Sequence, residues 1–133
     1  MPLQSSTVAP DGASAVTGGT AITFKSLGQS VNNNKFYVDE DTSLITRRLM
    51  DVTVTPPKVK LDAPGGYTQG RVKLTLKFPK TLANAANTVN TVQISLAYDP
   101  ETTSSEIDAI LESAAQSCYG SAFADLWHDL AVG

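Results

Sequence analysis

Arg71, Lys73 and Lys77 share one parity of the run GRVKLTLKFP with Thr75, while Val72, Leu74, Leu76 and Phe78 hold the other. Such alternation describes an extended strand with one wet and one buried face. Side chains of one parity stand about 7 Å apart along a strand, close to the separation of successive phosphates. Lys and Arg so placed neutralise phosphates whatever the base sequence, which gives affinity and salt dependence. Thr53 and Thr55 on an earlier alternating run, and Thr91 and Gln93 on a later one, add hydroxyls and an amide. Such groups are able to read unpaired base edges.

The same sequence offers little for catalysis. His128 is the lone histidine, set between Asp125 and Asp129, and reads as a surface residue rather than a general base. No metal-ligand spacing, phosphate loop or nucleophile elbow is present. Asp39, Glu40 and Asp41 could hold a cation, but a solvated turn explains three adjacent acids more simply. Cys118 is the only cysteine, so no intrachain disulfide can form, and its place on an apolar helical face predicts a buried thiol. The chain is expected to bind no cofactor, no metal and no small-molecule substrate.

The cations are not evenly spread. The formal charge is −3, yet all ten Lys and Arg lie in residues 1–80 with six acids, net +4, whereas residues 81–133 hold seven acids and no cation. That segregation points to two surfaces, one for a polyanion and one for water or a basic neighbour. Apolar runs are short, no signal peptide is recognisable, and no partnership with a membrane is expected. The reading is of a soluble chain made in a cytoplasm.

Several elements must position these groups. The 133 residues, 41% of them hydrophobic, suffice for one domain. STVAP, Asp11-Gly12 and a strand from Thr20 to Ser26 suggest an N-terminal hairpin, and SVNNN a turn. KFYVDED reads as a short strand, and SLITRRLMDVTVTPP as a long one stopped by Pro56-Pro57. Pro64-Gly65-Gly66 marks a turn. Pro79 is expected to end the cationic strand, with a flexible loop over Lys80–Asn90. TVQISLAY follows, with Val92, Ile94, Leu96 and Tyr98 inward; no aromatic is expected on the outward faces. Thr103-x-x-Glu106 is a capping box for a helix bearing Ile107, Ile110, Leu111, Ala114, Ala115 and Cys118. Gly120 should stop it, and a second helix from Ser121 to Leu130 presents Phe123, Leu126, Trp127 and Leu130. The class is α+β: an antiparallel meander, then two helices. Two short helices are a small cover for a broad apolar sheet face, and a two-fold dimer whose helices lie over the partner's sheet resolves the mismatch.

The order of RRLMDVTVTPP, GRVKLTLKFPKT, NTVQISLAYDP and ETTSSEIDAILESAAQS resembles the coat proteins of the single-stranded RNA bacteriophages, the levivirus group. The resemblance is good from residue 44 onward and rests on the succession of elements. It implies one coat-protein domain over 1–133: an N-terminal hairpin over 1–30, a sheet over 34–99 and a two-helix dimerisation segment over 102–131. It implies an interlocked homodimer with a continuous ten-stranded sheet, assembling in the bacterial host cytoplasm into an icosahedral capsid around single-stranded genomic RNA. It implies binding of an RNA hairpin as translational repressor and packaging signal. Carried over residue by residue, the RNA-contacting positions are Thr53, Thr55, Arg71, Lys73, Thr75, Lys77, Val89 or Thr91, and Gln93. The loop Lys80–Asn90 corresponds to the one around the family's symmetry axes. Two departures stand out: no Tyr for base stacking near the start of the last strand, and no cysteine in the axis loop. A non-viral sheet-based RNA-binding dimer is the alternative, although such modules usually stack bases on outward aromatics.

Overall fold

Alternating runs joined by short connections favour pairing between strands that are neighbours in sequence. The computed structural model describes residues 22–119 and 123–130. Five strands form one antiparallel sheet in the order β1 (Phe24–Ser30), β2 (Asn33–Val38), β3 (Leu49–Thr55), β4 (Gly70–Thr81) and β5 (Asn87–Tyr98). Helices α1 (Ser104–Tyr119) and α2 (Ala124–Asp129) follow in sequence. The α+β class and the meander are as expected. The chain divides into two compact units, one holding the strands and their loops up to Glu101, the other the helices from Thr102.

Several boundaries differ from expectation, each for a local reason. β1 begins at Phe24 and runs to Ser30, not from Thr20 to Ser26, because a bulge between Ser26 and Gly28 lets pairing resume beyond the glycine. Gly28 has φ +151°, a conformation other residues rarely adopt. The turn is only Val31-Asn32, with Asn32 at φ 65°, a region that asparagine tolerates. The following asparagines already belong to β2. β3 is seven residues long rather than starting near Ser43; residues 44–46 form a turn instead. It ends before Pro56, as the prolines require.

Pro79 does not end β4. The last β4 residue paired with β3 is Lys77, opposite Leu49, so beyond it β4 lacks a neighbour on that side and a missing N–H there breaks no ladder. The expected flexible loop over Lys80–Asn90 shrinks to Leu82–Ala86, held by Leu82 N–H donating to the Ala86 carbonyl (2.8 Å) and Thr81 Oγ1 donating to Asn87 (2.9 Å). Pro64–Gly66 makes the expected turn, with Gly65 at φ +71°, a left-handed conformation that glycine adopts at the least cost.

The capping box forms. Glu106 N–H donates to Thr103 Oγ1 and Thr103 N–H to Glu106 Oε1, each at 3.3 Å, so two orphan donors of the helix start are satisfied reciprocally. In α2, Trp127 Nε1–H donates to the Ser117 carbonyl at the end of α1 (2.9 Å). The N-terminal hairpin before Ile22, the stop at Gly120 and the start of the second helix at Ser121 lie outside the described residues. Cys118, expected buried, is exposed. It sits on the same stripe as Ile110 (47% exposed) and Leu111 (44%), a face that the described residues leave partly open.

Candidate functional site

Directly opposed residues in an antiparallel sheet share a face, so the register decides which side chains meet. Thr55, Arg71 and Ala97 make one row, and Asn33, Thr53, Lys73 and Ser95 the next. Lys35, Asp51, Thr75 and Gln93 make a third, and Tyr37, Leu49, Lys77 and Thr91 a fourth. Thr53, Thr55, Arg71, Lys73, Thr75, Lys77, Thr91 and Gln93 therefore stand on one face. Val89, opposite Pro79, shares it and is 52% exposed. Met50, Val52, Leu74, Leu76, Val92 and Ile94 fall on the other face, as the alternation requires.

The cationic face is uneven. Thr53, Thr55, Arg71, Lys73, Gln93 and Ser95 border an open depression. Thr75, expected as a contact, is only 9% exposed and forms a floor between its neighbours rather than a projecting group. Among the described residues Lys35, Arg71, Lys73 and Lys77 take part in no ion pair; the pairs are Lys25–Asp39 (3.1 Å) and Arg48–Asp41 (2.9 Å). Cations without a carboxylate partner keep their charge for an external anion.

Sequence reasoning missed Lys35 and Asp51. Both belong to the third row, and only the β2–β3 register brings them there. The parity of KFYV was a signal for Lys35, but no one-strand pattern shows which face of a neighbour it joins. The face also carries an aromatic, contrary to expectation: Tyr37, with the Arg47 guanidinium 5.0 Å from its ring centroid. That cation occupies one side of the ring.

The three adjacent acids are spent on structure. Asp39 holds Lys25, and its hydrogen bond raises the Lys25 ammonium above its ordinary value. Asp41 accepts from Arg48 Nε (2.9 Å), Nη2 (3.1 Å) and backbone N–H (2.8 Å), which holds its carboxyl below the usual carboxylate range. Two of three acids in structural pairs argue for a turn rather than a cation site. No group of three metal-ligating side chains occurs among the described residues. No helix among them is long and apolar enough to cross a membrane.

No protein-family model matches the chain, and no curated protein sequence does. Solved structures do. A chain of the virus-like particle of bacteriophage GQ-907 superposes with TM-score 0.84 at 27% identity, covering 98% of each chain. A chain of the virus-like particle of bacteriophage AVE019 gives TM-score 0.70 at 8% identity over 88% of this chain and 92% of that one. One from the virus-like particle of Beihai levi-like virus 21 gives 0.61 at 14% identity over 87% and 91%. The last two establish shared fold alone. The chain has the levivirus-type coat-protein fold over nearly its whole length, and these neighbours are shell components rather than enzymes.

Proposed function

We propose that this chain, a coat protein by its fold, assembles as dimers into a closed icosahedral shell and lines the inside of that shell with its cationic sheet face, against single-stranded RNA. The observation that carries the reading is the gathering of Lys35, Arg71, Lys73 and Lys77, none paired to a carboxylate, on one sheet face of a chain whose net charge is −3. Phosphates are the abundant ligand for such a face. Thr53, Thr55, Thr91 and Gln93 stand among the cations as readers of bases, and a hairpin in the genome is the target through which the dimer represses translation and selects RNA for packaging.

The dimer follows from what the single chain leaves open. Val38 is the one fully buried apolar side chain among the described residues. Val92 and Ile94 on β5 are 56% and 46% exposed, and Trp127 on α2 is 55% exposed. β5 is an edge strand of twelve residues without Lys, Arg, Asp, Glu or Pro. Pairing β5 with its two-fold copy removes that edge and gives a ten-stranded sheet, while the exposed helix residues cover apolar surface of the partner.

The test is expression of the chain alone in bacteria. Uniform shells containing host RNA are expected, and Arg71→Ala/Lys73→Ala shells should contain less. Shells that form with no RNA at any salt would separate the coat role from the RNA role and remove the latter.

A further inference from the structure

Asp51 is out of place on a face made for phosphates. It stands in the middle of the sheet, opposite Lys35 on one side and Thr75 on the other. A carboxylate there weakens attraction for any phosphate, so electrostatics alone gives no reason for it. No ion pair involves it among the described residues. Its carboxylate accepts one hydrogen bond among them, from Asn33 Nδ2 to Oδ1, at 2.8 Å. It borders a recess of about 140 Å³ that Leu27, Lys35, Leu49, Thr75 and Lys77 also line. Leu27 reaches this recess because the β1 bulge leaves it without a partner in the register. The recess thus combines apolar walls, a hydroxyl in its floor, an acceptor-only carboxylate and flanking ammonium groups.

A shallow recess of this kind fits the edge of a planar base. An ionised carboxylate only accepts hydrogen bonds, and its two oxygens offer about four lone-pair sites. The bond from Asn33 uses one, leaving Oδ2 and a second site on Oδ1. Uracil presents two carbonyls around a single N–H, so one of them must face the carboxylate. Adenine and cytosine each present an amino group beside an acceptor nitrogen. Guanine alone presents two adjacent donors, N1–H and N2–H, which match two carboxylate oxygens side by side, and its O6 suits a nearby ammonium. We propose that the recess over Asp51 receives the Watson–Crick edge of one unpaired guanine in the bound RNA, with Asp51 as the specificity-determining residue. The inference rests on the reading of this face as the RNA face.

The experiment is fluorescence anisotropy of the full-length protein with labelled oligouridine strands carrying a single central G, A, C or U, at one fixed salt concentration and across a salt series. The G strand should bind about tenfold more tightly than the others, the scale of a good bidentate base contact. Asp51→Asn, nearly isosteric and still able to accept from Asn33, should bring all four strands within about twofold of one another, with the salt slope unchanged and mean affinity equal or higher. Equal binding of all four strands by the natural protein, with a normal salt slope, overturns the guanine site and leaves the RNA face standing. A preference for A or C does the same. Failure of every strand to bind overturns the RNA face and the guanine site with it. If Asp51→Asn does not fold, the four-strand comparison on the natural protein still decides.

Discussion

The first and last strands of the sheet are built on opposite plans. β1 has seven residues, is interrupted by a bulge at Leu27 and carries Lys25 in a pair with Asp39. β5 has twelve residues, pairs without a break along β4 from Tyr98 to Asn87, and carries no charge and no proline. Shortness, bulges and lysines are the devices that keep an edge from pairing with another chain. β1 has the bulge and the lysine and is the shorter of the two edges, and β5 has neither bulge nor lysine. A long, uncharged edge is one that the proposed two-fold pairing would cover, and the apolar exposure of Val92 and Ile94 agrees with that proposal. The lesson is that an edge strand's composition reports whether it is an end or a seam.

The largest expected effect comes from giving β5 the protection that β1 already has. Val92→Lys/Ile94→Lys should cost the dimer about 4–6 kcal/mol, since charges would be left unpaired in a desolvated seam, and should abolish particles while leaving a folded chain. Leu27→Lys on β1 should leave assembly intact. Light scattering after size exclusion reads both, and equal loss of assembly in the two variants would erase the distinction between the edges. Trp127→Ala sharpens the comparison by asking whether the helices share the seam. It should weaken the dimer by about 2–4 kcal/mol, as truncation of a large aromatic buried on association does. An unchanged dimer dissociation constant would assign the interface to the strands alone.

How much of this could be read from residues depends on the range of the interaction. The strand faces of Arg71–Phe78 and Thr91–Tyr98, and the Thr103–Glu106 cap, are set within a few residues of themselves, and period and spacing reveal them. The β1 bulge, the β2–β3 register that gathers Lys35 and Asp51, and the passage of β4 through Pro79 are set by the neighbouring strand. No local pattern contains them. Thr75 shows the same limit in burial: its parity is correct, yet its neighbours on both sides reduce it to a floor. The exposure of Cys118 has a different origin, since an apolar helical stripe predicts burial without containing the surface that would provide it.

Smaller effects separate the cationic face from the edges. Arg71→Ala/Lys73→Ala should flatten the dependence of RNA affinity on salt by about 1.4 logarithmic units per decade, two contacts at about 0.7 each for single strands, with dimerisation unaffected. Filter binding across a salt series measures it, and an unchanged slope would move the RNA off this face. The smallest effect is one of pH. Asp41 is held below its ordinary value by its bonds to Arg48, so the folded state binds that proton less readily than the unfolded one. The resulting stabilisation is complete above about pH 4, the unfolded carboxylate range, and is lost as pH falls through the lowered value. The protection of the Arg48 N–H, which donates to Asp41 at 2.8 Å, measured relative to the unstructured chain at the same pH, should therefore fall below that range. β5 has no carboxylate, histidine or lysine, so its protection relative to the unstructured chain should not change over the same interval.

The central claim is that β5 is a seam, and its free backbone groups test it most directly. In a five-stranded sheet that ends at β5, the β5 amides that do not point to β4 have no ladder partner and exchange quickly. Hydrogen exchange measured amide by amide on assembled protein should find successive β5 amides protected without alternation, to the level of the interior strands β3 and β4. Alternating protection along β5, with every second amide exchanging at the rate of an open edge, would contradict the account.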